Sequence, residues 1–510
     1  MSFASVRSCT LSGVNAQEVT VEVHITGGLP GIAIVGLPQS AVRESKDRVK
    51  AAITHAGLTY PQVKIIVNLA PADLPKQGGR YDLPIAIGIL IATQQLPARC
   101  TDEMVIVGEL GLCGDVRSVS GVLPATIDLA NKNTAMLIPL ANKAEALLNP
   151  SIDCVGVDTL NEAVDVLQTR TKLMAGSGFR VASSSTRSTV KLAQTAVDLN
   201  TVYPCMSDVQ GQQQARRALE IAAAGSHNLL MTGPPGTGKS MLASRMPGIQ
   251  PPMTEGEAME TASVLSITHT GFDARLWAMR PYRSPHHTAS GVALVGGGSV
   301  PMPGEASLAH NGVLFLDEIP EFSRTVLDVL REPMETGTIT ISRASRQADF
   351  PARFQLIGAR NPCPCGYDGD ADFNCRCTPD QILRYQQRLS GPFLDRIDLH
   401  VAMTRIDSKL LLDQVSSEPS VDIRQRVIAA RQIQLDRQGA QNATLTGREL
   451  KRHCKLGDDE KALLKQAMDS AHMSVRASYR MVKVARTIAD LEGVDEIGEE
   501  ALVEALGYRG

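Results

Sequence analysis

At 510 residues the chain exceeds the roughly 250–300 residues at which single hydrophobic cores stop growing, so several domains are expected. Its 43% hydrophobic and 21% charged residues exclude global disorder, and a formal charge of −3, from 51 Lys+Arg against 54 Asp+Glu, names no partner by itself. The apolar run 85–92 is far shorter than the ~20 residues that cross a bilayer, so no membrane span is expected.

The opening MSFASVRSCTL lacks the apolar stretch of a secretory leader, which predicts a cytoplasmic protein whose ten cysteines are reduced or metal-bound. Residues 1–172 alternate β-rich stretches (18–25, 64–69, 104–107) with helix-like ones (41–55, 83–94), the pattern of an α/β domain. Residues 175–189 read AGSGFRVASSSTRST, with too few apolar side chains to anchor a core, and predict a flexible linker over 173–190. A second α/β pattern fills 191–405, and a helical one rich in Ala, Leu, Arg and Gln fills 406–510. The expected fold class is multidomain α/β with a helical C-terminal domain. Within that last domain, residues 423–486 hold 14 Lys/Arg against 6 Asp/Glu, whereas 487–510 hold one Arg against seven acids.

The most specific signal lies in the second domain. Gly233, Pro234, Pro235, Gly236, Thr237, Gly238, Lys239 and Ser240 form a GxxxxGK[ST] motif between the apolar run 228–231 and the helix-like 241–246. The glycines let backbone N–H groups turn toward phosphate oxygens. Lys239 is then expected on the β- and γ-phosphates of ATP, and Ser240 on Mg2+. The apolar run 313–316 ends in Asp317 and Glu318, expected respectively to coordinate Mg2+ through water and to orient or deprotonate the attacking water. Together these residues predict ATP hydrolysis.

Upstream, His286 and His287 have no acids or cysteines near them in sequence and read as structural or nucleic-acid-contacting rather than metal ligands. TITISRASR at 338–346 alternates β-formers and predicts a hairpin with Arg343 and Arg346 near its turn. Cys363-Pro-Cys365 and Cys375-Arg-Cys377 offer four thiolates for a tetrahedral structural Zn2+ site, the alternative being free thiols in a loop.

Strand-like 354–361 ends in Asn361, where an AAA+ ATPase has its γ-phosphate sensor. Arg396, in GPFLDRID, resembles the arginine finger of the magnesium-chelatase and replicative-helicase branch, with Arg388 as the competitor. SVRASYR at 474–480, followed by 481–491, resembles the sensor 2 helix, with Arg476 preferred and Arg480 the alternative. GGLPGIAIVGLP at 27–38, NLAPADLPKQGGRYDLP at 68–84, His286-His287, GEASLAHNG at 304–312 and the cysteine loop extend the likeness to essentially the whole chain. On these passages the chain is identified as a member of the ComM/YifB family of magnesium-chelatase-like AAA+ ATPases.

That resemblance implies a Lon-protease-like first domain. Asp82 stands where the protease serine would be and Pro124 where its lysine would be, so the domain is expected to be a non-proteolytic assembly or DNA-binding part. It further implies a homo-hexamer with the finger acting in trans, and a pore-facing hairpin placing Arg343 and Arg346 on DNA. The implied function is a DNA helicase that drives branch migration of recombination intermediates during natural transformation, with recombination proteins as candidate partners. The alternative is a chelatase-like or chaperone-like motor that remodels a protein partner.

Overall fold

The computed structural model describes residues 3–130, 134–175, 202–343, 346–370, 372–405, 417–470 and 473–509, so most of the expected linker at 173–190 lies outside the described residues. Two compact units are present: residues 1–190 with 258–277 and 342–349, and residues 191–257 with 278–341 and 350–510. Among the described residues no helix is long and apolar enough to cross a membrane.

The first unit is built on seven strands: β1 (Phe3–Ser12), β2 (Asn15–Thr26), β3 (Gly31–Val35), β4 (Lys64–Ala70), β5 (Met104–Ile106), β6 (Ala135–Pro139) and β7 (Cys154–Val157), in the order β3-β4-β2-β1-β5-β6-β7. The ladders β1–β2 and β2–β4 are antiparallel, setting Val6 opposite Val21 and Val23 opposite Val67, and the other pairs are parallel. In β2 the buried Val19, Val21 and Val23 alternate with half-exposed Glu18, Thr20 and Glu22, the period of two that a one-sided sheet requires. Against this sheet pack α1 (Ser40–His55), α2 (Asp82–Ala92) and α3 (Val122–Leu129). Every residue of α2 is buried. Its apolar run is thus a core helix, in which each fully buried Leu or Ile contributes about 1.5–3 kcal/mol before chain entropy is counted.

Asp82 opens α2 with its carboxylate wholly engaged. Arg48 donates from Nε at 2.6 Å, the Leu110 N–H donates at 3.2 Å, and the Ser45 hydroxyl donates as well. Burial pushes the Asp82 carboxyl above its ordinary value, while Arg48 and Ser45 pull it down. Pro124 lies buried inside α3.

The second unit holds a five-stranded sheet of β8 (Leu229–Thr232), β9 (Tyr282–Arg283), β10 (Val313–Leu316), β13 (Gln355–Arg360) and β14 (Leu399–Ala402), ordered β9-β10-β13-β8-β14 with every pair parallel. Between β10 and β13 in sequence come β11 (Thr338–Arg343) and β12 (Arg346–Pro351), which pair as a two-stranded hairpin. The helices that matter are α4 (Gln213–Gly225), α5 (Lys239–Ala243), α6 (Met246–Ile249), α7 (Arg331–Thr336), α8 (Gly391–Leu394), α9 (Ser420–Gln438), α10 (Val475–Glu492) and α11 (Glu499–Gly507). Leu229, Met231, Phe315, Ile357 and Val401 of the sheet share one buried cluster with Leu219 of α4, Val427 of α9, Ile488 of α10 and Leu502 of α11. The C-terminal helices are therefore packed into the same core as the parallel sheet.

One expected element is corrected. The helix-like 241–246 is two short helices, α5 and α6, separated at Ser244 and Arg245. Pro247, in the first turn of α6, has no N–H to give, and its ring would meet the carbonyl of Ala243, so one continuous helix is blocked there.

Candidate functional site

Because β8, β10 and β13 are adjacent and parallel, their carboxyl ends emerge together. Residues 233–240 leave β8, Asp317 and Glu318 leave β10, and Asn361 leaves β13. The register is tight: Thr232 lies opposite Arg360, and both Leu230 and Leu316 lie opposite Gly358. Antiparallel neighbours would send these groups to opposite ends of the sheet, so the topology itself assembles the site.

In the loop, Gly236 (φ +81°) and Gly238 (φ +88°) occupy left-handed backbone, and a Cβ added to either would meet nothing within 4 Å. Their open side is the cradle that phosphate oxygens require. Gly233 is constrained differently, since a Cβ there would come within 2.5 Å of the Met403 carbonyl oxygen. Thr237 Oγ1 donates to the Pro234 carbonyl at 2.9 Å, and Gln212 Nε2 donates to the Thr237 carbonyl at 3.2 Å and to that of Thr404 at 2.7 Å. Gln212 has no motif to flag it in the sequence.

Lys239 is buried, with Nζ donating to the carbonyls of Gly233 at 2.6 Å and Pro234 at 2.9 Å and to Asn361 Oδ1 at 3.1 Å. Burial lowers its pKa, opposed by the nearby charges of Asp317 and Glu318. Ser240 Oγ donates to Asp317 Oδ2 at 2.6 Å. A hydroxyl and a carboxylate meeting in this way form the hard-oxygen donor set that suits Mg2+. Glu318 sits at φ +49°, a backbone that a non-glycine residue seldom adopts, with its side chain half exposed. His287 Nδ1 lies 3.6 Å from Glu318 Oε2, and its ring packs against that of His286 with centroids 4.1 Å apart. The histidine pair is conspicuous in the sequence, but its proximity to Glu318 is visible only in the fold.

The arginines lie elsewhere. Arg396, in the turn after α8, and Arg476, in the first turn of α10, both reach Glu335 of α7, at 2.6 and 2.5 Å. The Arg476 hydrogen bond is the main reason that the Glu335 carboxyl is held below its ordinary value, with Arg396 adding to it. Arg480 is spent on structure: it donates to the carbonyls of Leu394 at 3.2 Å and Ile397 at 2.6 Å, stapling the turn that carries Arg396. Arg388 pairs with Glu321 at 2.9 Å and donates to the Pro320 carbonyl at 3.2 Å.

Directly after Asn361, Cys363, Cys365, Cys375 and Cys377 bring their sulfurs within 4.8 Å of one another. The separations of 3.3 Å for Cys363–Cys365, 3.6 Å for Cys363–Cys375 and 3.5 Å for Cys365–Cys375 exceed a disulfide bond by more than an ångström. They approach the S···S spacing of about 3.8 Å set by four 2.3 Å bonds around tetrahedral zinc. Backbone N–H groups of Arg376 and Tyr367 hold the Cys365 thiol down to about 6, whereas burial and the neighbouring thiols push those of Cys375 and Cys377 up. The loop leans on the phosphate loop: a Cβ on Gly366 would come within 2.7 Å of Pro235 Cδ. Arg405 braces its far side, pairing with Asp370 at 2.9 Å and lying 4.3 Å from the Phe373 ring centroid.

In the hairpin, Ile339 and Ile341 are buried whereas Thr338, Thr340, Ser342 and Arg343 are exposed. Arg346 opens the returning strand.

The sequence matches the family models described as magnesium chelatase, subunit ChlI, over residues 205–411, subunit ChlI of Mg-chelatase over 21–142, and the ChlI C-terminal model over 417–509. It is 48% identical over 511 residues to competence protein ComM of Haemophilus influenzae, covering 100% of this chain and 98% of that protein. Protein YifB of Salmonella typhimurium is 46% identical, with 100% of this chain and 97% of the relative covered. A weaker likeness, 27% identity over 179 residues, joins 31% of this chain to 32% of Lon protease 2 of Bacillus subtilis.

Proposed function

Because this chain belongs to the ComM/YifB family of magnesium-chelatase-like AAA+ ATPases, we propose that it is an ATP-hydrolysing, hexameric DNA motor that drives branch migration of recombination intermediates. The observation that carries the catalytic part is the convergence of Lys239, Ser240, Asp317, Glu318 and Asn361 at one end of a parallel sheet. Lys239 binds the β- and γ-phosphates, and Asn361, already on Lys239 Nζ, orients the terminal one. Ser240 and Asp317 hold Mg2+, which when bound neutralises charge on the β- and γ-oxygens. Glu318 takes the proton of the attacking water as the bond from the γ-phosphorus to the leaving oxygen breaks. Arg396 and Arg476 serve as finger and sensor 2 on a nucleotide held by an adjacent copy.

The name of the Haemophilus relative, competence protein, supports DNA as the polymer and natural transformation as the setting. So does the hairpin, whose exposed face carries hydroxyls and Arg343. Positive charge along a pore suffices for such a motor even when the whole chain is close to neutral. The test is ATPase rate with and without forked or four-way DNA, together with strand exchange on the branched substrate. A hexamer that neither binds nor moves any DNA overturns the assignment and leaves the protein-remodelling alternative. Arg343→Ala and Arg346→Ala should each reduce the steepness of log affinity against log salt by about 1, the value for one phosphate no longer neutralised, while basal ATPase stays within about twofold.

The four cysteines are proposed to hold a structural zinc ion. Purified protein should carry about one zinc per chain by atomic absorption, and Cys365→Ser with Cys377→Ser should abolish it and lower the melting temperature. Unchanged melting and no zinc in the unaltered protein would assign the cluster to free thiols.

A further inference from the structure

Among the described residues, neither Arg396 nor Arg476 makes a hydrogen bond or ion pair to residues 233–240, Asp317 or Glu318. The two come from different helical segments, yet their Nη2 atoms end on the same oxygen, Glu335 Oε1, at 2.6 and 2.5 Å. Two cations this close repel, and an anion between them is what makes the arrangement stable. Neither guanidinium is exhausted. Arg476 stays half exposed, whereas Arg396 is mostly buried, with Nη1 on the Pro392 carbonyl and Nη2 on Glu335, so its remaining Nη hydrogens are the donors left for a phosphate. A planar fork with five donors can rest on Glu335 and still present others to a phosphate.

We propose that Glu335 is a positioning residue for ATP hydrolysis, whose carboxylate fixes Arg396 and Arg476 as a pair so that one subunit presents two guanidiniums together to its neighbour's nucleotide. This deepens the reading of the chain as a ring ATPase and rests on it. During hydrolysis, negative charge on the transferring phosphoryl group is met by guanidiniums whose orientation is already set, so no reorganisation is needed at the transition state. Glu335 also lies in the last turn of α7, three residues before the first strand of the hairpin, with Gly337 at φ +69° between.

Arg476 and Glu335 are half exposed, so their pair contributes little to folding, and the Gln amide oxygen still accepts from the mostly buried Arg396; Glu335→Gln should therefore melt within about 5 °C of the unaltered protein. Its kcat should fall about tenfold while KM for ATP changes less than about twofold, because the pair acts in the transition state. Glu335→Asp, which keeps the charge, should recover part of that loss. In the background of Arg396→Ala, Glu335→Gln should cost less than it does in the unaltered protein, since residues that act as a unit are not additive. An unchanged kcat, a purely additive double variant, or a loss accompanied by unfolding would each overturn the proposal. Lys239→Ala separates this from the larger reading. If that variant still turns over ATP, the assigned nucleotide site fails; if it is inactive while Glu335→Gln is indistinguishable from the unaltered protein, only the pairing fails.

Discussion

Glu318→Gln is expected to bind ATP and hold it, with kcat lowered by about 10²–10⁴-fold, the contribution of a well-placed general base. The amide keeps the shape of the side chain and tolerates the same left-handed backbone at φ +49°, so the turn after β10 should survive. Asp317 and its contact with Ser240 at 2.6 Å are untouched, which preserves the Mg2+ donors. Lys239 keeps its three partners. What disappears is the only feature of Glu318 that hydrolysis uses, a carboxylate able to accept a proton, so affinity and turnover should separate. Equilibrium binding of a fluorescent ATP analogue, set beside phosphate release, measures the two independently. Turnover within about tenfold of normal would remove Glu318 from the role of base and turn attention to His287, whose Nδ1 is 3.6 Å away.

Local chemistry of the nucleotide site is legible in the sequence because each part is a short pattern with its own physics. Residues 233–240 need glycines for backbone that other residues avoid, and 313–318 need an apolar strand that stops at acids. The first unit is legible for a similar reason: alternation of valines in 18–25 matches β2 (Asn15–Thr26), and 64–69 matches β4 (Lys64–Ala70). Strand β1 (Phe3–Ser12) escapes such reading, since Ser8 and Thr10 share the buried face of Val6 while Cys9 is buried on the opposite face, which blurs the alternation. Glu335 is illegible for a deeper reason. Its meeting with Arg476 spans 141 residues, and nothing in REPMET distinguishes it from any helical acid on a surface. The same holds for Gln212, which from outside the motif ties the Thr237 carbonyl of the phosphate loop to the carbonyl of Thr404. Contacts of this kind depend on which elements the fold brings together, whereas motifs depend on what one stretch of backbone must do.

Lys239→Ala is expected to lose both binding and turnover, the broadest effect of any single substitution here. Hydrogen bonds from a charged donor are worth about 1.5–3 kcal/mol each, so removing two to the β- and γ-phosphates should weaken ATP by about 10²–10⁴-fold. The ammonium has a second task. With Nζ on the carbonyls of Gly233 and Pro234 and on Asn361 Oδ1, it ties the first turn of the loop to the end of β13. Its removal therefore frees the sensor side chain and the loop together, and the variant should lose turnover even at saturating nucleotide. Lys239→Met separates these tasks from simple cavity formation, because it fills most of the same volume without a charge and should be equally inactive. Isothermal titration with ATP and Mg2+, alongside a melting curve to establish folding, provides the comparison. Hydrolysis that persists in a folded Lys239→Met protein would mean that phosphate charge is met by another cation, and the assignment of residues 233–240 as the nucleotide cradle would have to be withdrawn.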